Sequence, residues 1–205
     1  MRFIEDPKTL LSEYNFFILD LWGVIHDGQH TYPNVPQTLE LLKELNKTVV
    51  FLSNAPRRAF KAEQVLAKLG IGKELYKQVI TSGEVAFHAL KDPEHKDKNK
   101  YYYIGPEKDR DLLEGLHYHE VTDAKQADVA IATGFEVDGK MADIEQQIQA
   151  ALAAGLKLIC VNPDKIVVRQ DGIKQLCEGL IADEYKKLEG EDEYFSKTYE
   201  HVNDY

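Results

Sequence analysis

Asp20 closes an apolar run, Phe16-Phe17-Ile18-Leu19-Asp20, and Ser53 and Asn54 close a second one, Thr48-Val49-Val50-Phe51-Leu52-Ser53-Asn54. Open α/β sheets keep their ligands at the carboxyl ends of parallel strands, so two strand ends here aim polar atoms at one crevice. A carboxylate in that place can attack phosphorus, provided that donors hold the transferring oxygens and a cation offsets their charge. Asp20 supplies the carboxylate. Ser53, Asn54 and the backbone N–H groups of a helix starting near Arg57 supply the donors, since a helix N-terminus favours anions. Pro56 suits such a start because the first turn needs no donor from it. The plainer alternatives are that Asp20 is a turn acid and that Ser53 and Asn54 cap the helix, a role worth about 0.5–2 kcal/mol. Arg57 and Arg58 oppose the helix dipole and call for either solvent or an anion.

Positioning those groups takes a strand, a helix and a strand. Between the two runs, Pro36-Gln37-Thr38-Leu39-Glu40-Leu41-Leu42-Lys43-Glu44-Leu45 places Leu39, Leu42 and Leu45 on one helical face. The order makes a right-handed βαβ crossover with both carboxyl ends on one edge. Arg57 to Leu69 reads as a second amphipathic helix with Phe60, Val65, Leu66 and Leu69 inward and Gly70 as its stop. A short apolar piece, Gln78 to Ser82, follows, and then a charged connection from Lys91 to Lys100 interrupted by Pro93. A second alternation begins at Tyr101-Tyr102-Tyr103-Ile104-Gly105 and continues through Asp128–Gly134 and Leu156–Asn162. Its alanine-rich helix, Met141 to Ala154, carries Ile144, Ile148, Ala151 and Leu152 on one side.

Composition bounds the function. With 43% hydrophobic residues over 205 positions, one large or two small packed domains are within reach. A formal charge of -10 excludes a nucleic-acid or anionic-membrane surface as the main partner, because phosphate backbones require a basic footprint. The N-terminal residues lack the apolar segment of a signal peptide, and no apolar stretch reaches the roughly 20 residues of a membrane span. The expectation is a cytoplasmic protein. Cys160 and Cys177 fit no metal or redox spacing and read as reduced structural thiols. His117 and His119 have the types for a metal site but lack a third partner nearby.

Asp20 with Gly23-Val24 and His26-Asp27-Gly28 after it, followed by Phe51-Leu52-Ser53-Asn54-Ala55-Pro56-Arg57-Arg58, resembles the first two motifs of the haloacid dehalogenase-like phosphohydrolase superfamily. The arrangement looks like subclass IIA, the branch of p-nitrophenylphosphatase-like and pyridoxal phosphatase-like enzymes with an α/β cap between the second and third motifs. Val161-Asn162-Pro163-Asp164 resembles a turn late in such caps. Glu193 to Tyr199 resembles the Gly-Lys-Pro third motif, with Ser196 in place of Gly and Thr198 in place of Pro. The resemblance covers nearly the whole chain. It implies an α/β fold with a Rossmann-like parallel-sheet core, here incomplete, and an inserted α/β cap: core at 1–78, cap at 79–175, return to the core at 176–205.

The activity so implied is magnesium-dependent hydrolysis of a small phosphorylated metabolite through an aspartyl-phosphate. Asp20 would be the nucleophile, Lys197 the charge stabiliser, and Ser53 and Asn54 the phosphate holders. Asp20 and the backbone carbonyl of Trp22 would bind the metal, the loops at Gly105 and Asn162 would contact substrate, and the cap would serve a homodimer. Two departures support a rival. The family's second aspartate of the first motif is Trp22 here, and an indole N–H cannot shuttle a proton near neutral pH. Its loss slows leaving-group protonation and hydrolysis by about 10²- to 10⁴-fold, unless His26 or Asp27 folds back to substitute. The fourth, acidic motif would fall after Tyr205, which makes the chain either a fragment or a shortened descendant and leaves magnesium weakly held or absent. The rival is a catalytically impaired phosphate-binding or interaction protein of the same fold.

Overall fold

The computed structural model describes residues 7–91, 99–168 and 172–189. The chain divides into two compact units: residues up to Ser53 together with Ala59–Thr81, and Asn54–Arg58 together with residues from Ser82 onward.

The first unit is a three-stranded parallel sheet in the order β1-β2-β3, with β1 at Phe16–Asp20, β2 at Thr48–Ser53 and β3 at Gln78–Thr81. A short helix α1 (Pro7–Glu13) precedes it, and α2 (Val35–Glu44) and α3 (Ala59–Lys68) are the crossovers. Strand β2 is central and apolar, which is why Val49, Val50 and Phe51 are all buried. Leu39 and Leu42 of α2 and Ala62 and Leu66 of α3 join Val49, Phe51 and Val79 in one core cluster. Leu45 lies at the helix C-cap and is 45% exposed, so the expected three-leucine face is a two-leucine one. Phe60, expected inward, is 48% exposed: with the helix starting at Ala59, its buried positions are Ala62 and Leu66.

The second unit holds α4 (Ser82–Leu90) and a four-stranded parallel sheet, β5-β4-β6-β7, formed by β4 (Lys100–Ile104), β5 (His119–Val121), β6 (Val129–Ala132) and β7 (Leu158–Cys160). Helix α5 (Met141–Ala153) buries Ile144, Ile148 and Ala151, as its periodicity predicts. A small antiparallel hairpin, β8 (Ile166–Val168) with β9 (Lys174–Leu176), leads to α6 (Glu178–Glu189). Helix α6 packs Ile181, Ala182 and Tyr185 into the same cluster as α5 and β7, and the Tyr185 hydroxyl donates to the Leu156 carbonyl at 2.5 Å. The described residues of this helix, expected to begin the return to the core, therefore pack with the second unit. The expected α/β architecture of parallel sheets flanked by helices, Rossmann-like with an inserted cap region, is the one observed.

Candidate active site

Asp20 is the last residue of β1 and pairs in register with Leu52 of β2, so Ser53 lies one residue beyond it on the adjacent strand end. Ser53 in turn pairs with Thr81, the last residue of β3. The carboxyl edge of the first sheet thus carries Asp20, Ser53 and Thr81 side by side. Asp20 is exposed and accepts from the Leu21 N–H at 2.7 Å, while Ser53 and Thr81 are buried. In the sequence Thr81 belongs to no motif, and its one signal is the polar end of an apolar run.

The loop after Asp20 folds back on itself. The Ile25 and His26 N–H groups both donate to the Leu21 carbonyl, and the Gly23 N–H donates to the His26 carbonyl at 3.0 Å. This sets the imidazole of His26 edge-on to the Trp22 ring, centroids 6.1 Å apart. Gly28 adopts φ +94°, and a Cβ there would come within 2.7 Å of the Trp22 ring, so the indole lies against bare backbone. His26 is 8% exposed, and its Nδ1 accepts from the Gly28 N–H at 2.9 Å. That bond assigns the proton of the neutral imidazole to Nε2. Asp27 instead accepts from the Gln29 and His30 N–H groups at 2.9 and 2.7 Å. The His30 bond, seconded by Gln29, holds its carboxyl below the usual carboxylate range, which makes it a poor proton donor.

Segment Asn54–Arg58 separates the end of β2 from the start of α3, so Pro56 precedes the helix rather than opening it. Several bonds of this segment run within the second unit. The Gly83 N–H donates to the Ala55 carbonyl at 3.1 Å, and Arg58 reaches Glu84 with Nε at 2.8 Å and a terminal nitrogen at 3.1 Å. The Arg58 guanidinium also lies 3.4 Å from the centroid of the Phe87 ring. Arg57 Nε stands 3.9 Å from the buried Asp109. Both arginines are thus directed to acids, a third outcome beside solvent or a bound anion.

Asn54 Nδ2 donates to both carboxylate oxygens of Asp164 at 3.2 Å. Asp164 follows Asn162, which is 5% exposed and spends its amide internally: Nδ2 donates to Glu178 at 2.8 Å, and Oδ1 accepts from the Asp164 N–H at 2.9 Å. Burial pushes the Glu178 carboxyl up to about 8, with Asp109 adding to the rise and the Asn162 amide opposing it. Gly105 sits at the end of β4 in close approach to Thr133 and Tyr103, whose hydroxyls are 2.5 Å apart. Burial raises the thiol of Cys160 to about 12 and that of Cys177 to about 11, so both stay protonated at neutral pH. Lys197 and the expected third motif lie outside the described residues. Among the described residues no group of three or more His, Cys, Asp or Glu is arranged to hold a metal ion, His117 and His119 included.

The sequence model of haloacid dehalogenase-like hydrolases matches residues 17–119, which contain both strand ends and the folded-back loop. The chain belongs to that family. Phosphoglycolate phosphatase 2 of Arabidopsis thaliana is 32% identical to this chain over 103 residues, covering 49% of this chain and 34% of that protein. The matched stretch spans 34–37% of the length of the curated relatives. A family hydrolase from Brucella suis 1330 superposes with a TM-score of 0.78 at 25% identity, over 95% of this chain and 75% of that one. Glycerol phosphate phosphatase from Mycobacterium tuberculosis, solved in complex with magnesium, shares the fold with a TM-score of 0.65 at 19% identity, covering 89% of this chain and 54% of that one.

Proposed function

We propose that the chain is a phosphohydrolase of the p-nitrophenylphosphatase-like branch that acts on a small phosphorylated metabolite. The observation that carries this reading is the placement of Asp20 and Ser53 on adjacent ends of parallel strands. A carboxylate oxygen of Asp20 attacks phosphorus, the ester oxygen leaves with a proton, and water then hydrolyses the aspartyl-phosphate to restore Asp20 and release phosphate. Ser53 and Asn54 hold the phosphoryl oxygens, and Lys197 offsets their charge. The loops at Gly105 and Asn162 face the substrate. Because the Asn162 amide is bonded inward, contact there falls to the loop's backbone and neighbours. His26 replaces the missing acid as the imidazolium, which requires its Nδ1 to release the Gly28 N–H before Nε2 gives up a proton, and the fixed, acidified Asp27 does not.

Magnesium would polarise the phosphoryl group when bound. The Asp20 carboxylate and the Trp22 carbonyl would hold it, and two donors fall short of an octahedral shell. The phosphatase names of the relatives support a small phosphorylated substrate, and among the described residues no helix is long and apolar enough to cross a membrane. Reaction in the cytoplasm and pairing of two copies through the second unit complete the reading.

The indole of Trp22 packed on Gly28 favours a second reading, a phosphate-binding protein with little or no turnover. A phosphatase panel run with and without magnesium, on this chain and on Asp20→Asn, separates the two. Metal-dependent release of phosphate that the substitution abolishes supports the enzyme. Binding of phosphate without release supports the second reading.

A further inference from the structure

Asn54 stands next to Ser53 in sequence, yet the bonds that fix it come from a turn far along the chain. An asparagine amide can flip end for end at little cost unless its neighbours distinguish oxygen from nitrogen. Here they do. Asp164 is an acceptor on both oxygens, so only the Nδ2 end of Asn54 can face it, and this sets the amide's orientation. Asp164 is itself held. Its N–H donates to Asn162 Oδ1, its carbonyl accepts from the Gly179 N–H at 2.8 Å, and Asn162 is tied to the buried Glu178. The chain after Asn54 is anchored too, through the Ala55 carbonyl to Gly83 and through the Arg58 side chain to Glu84 and Phe87.

We infer that Asp164 is a positioning residue for phosphate binding: it fixes the Asn54 amide so that the second Nδ2 proton is presented for a phosphoryl oxygen. The inference rests on the reading of Asn54 as a phosphate holder. The amide nitrogen carries two protons, and a carboxylate on one of them polarises the group and restricts its rotation, so the remaining donor is preorganised. Asn162-Pro163-Asp164 is then a structural brace for the segment after β2, with Asn162 setting Asp164 and Asp164 setting Asn54.

The test is made on the full chain with inorganic phosphate as the probe, in buffer with and without magnesium. The Asn54 side-chain NH₂ signal is assigned by its loss in Asn54→Ala and followed in Asp164→Ala and Asp164→Asn, whose backbone spectra report folding. In Asp164→Ala the signal moves and phosphate affinity falls about tenfold, the size of one lost donor. Asp164→Asn keeps an acceptor and retains affinity within about threefold of the parent. An Asn54 signal indifferent to both Asp164 substitutions overturns the inference alone. A signal that moves while phosphate affinity stays level in Asp164→Ala overturns it as well, since the bond then positions nothing. Phosphate that leaves the parent chain's Asn54 signal untouched overturns both the inference and the reading it rests on.

Discussion

Glu178 is a carboxyl that the fold keeps neutral. It is 4% exposed and its upward shift to about 8 comes first from burial, with Asp109 adding repulsion, so the folded state binds its proton more tightly than the unfolded chain, whose value is near 4.5. A group raised in this way contributes stability that is fully present below the unfolded value and lost as pH rises to the folded one. Thermal melts should therefore show stability falling between about pH 4.5 and about 8, by on the order of a few kcal/mol, and levelling above that. Glu178→Gln retains an acceptor for the Asn162 amide and should flatten that slope. A slope unchanged by the substitution would assign it to other groups. His26 has a different role, and His26→Ala should lower kcat by about 10²-fold with KM little changed, measured on an aryl phosphate. A fall in KM alone would contradict its place as proton donor.

At the scale of elements, the folded-back loop between β1 and α2 depends on one backbone conformation. Gly28 holds φ +94° under the Trp22 ring, where a side chain meets both strain and a collision. Gly28→Ala should cost about 1–3 kcal/mol in denaturant melts, and Gly155→Ala, whose Cβ would meet open space, should cost less because it incurs the backbone strain alone. The parallel order of β1 and β2 and the inward leucines of α2 were legible because they rest on local period and on a handedness rule. Helix α3 starts two residues later than its periodicity predicts, and Arg58 is held instead by Glu84 and Phe87, partners that no local pattern reveals. Strands β8 and β9 are three residues each, too short to show alternation. Of the site, Asp20 and Ser53 could be read from strand ends, while the partner of Asn54 lies 110 residues away and could not.

In the molecule as a whole, the first unit is an all-parallel sheet with three large apolar side chains exposed on one face among the described residues. Phe16 and Ile18 of β1 and Leu52 of β2 lie on the same side of the sheet and are 52%, 62% and 48% exposed. Parallel sheets ordinarily cover both faces, so this side should bind an apolar dye such as anilinonaphthalene sulfonate in the folded state. Ile18→Ser should reduce that fluorescence without lowering the melting temperature, and an unchanged signal would place the dye elsewhere. The edge that carries Asp20 is where chemistry is expected, and the most direct measurement is to look for the phosphoryl group on it. The chain is turned over with p-nitrophenyl phosphate and magnesium, quenched, and reduced with borohydride, which converts a phosphorylated aspartate to homoserine. The account predicts homoserine at position 20 in the digested peptide and neither that product nor phosphate release in Asp20→Asn. Phosphate release that survives in Asp20→Asn, or a phosphoryl group found on another residue, would contradict it.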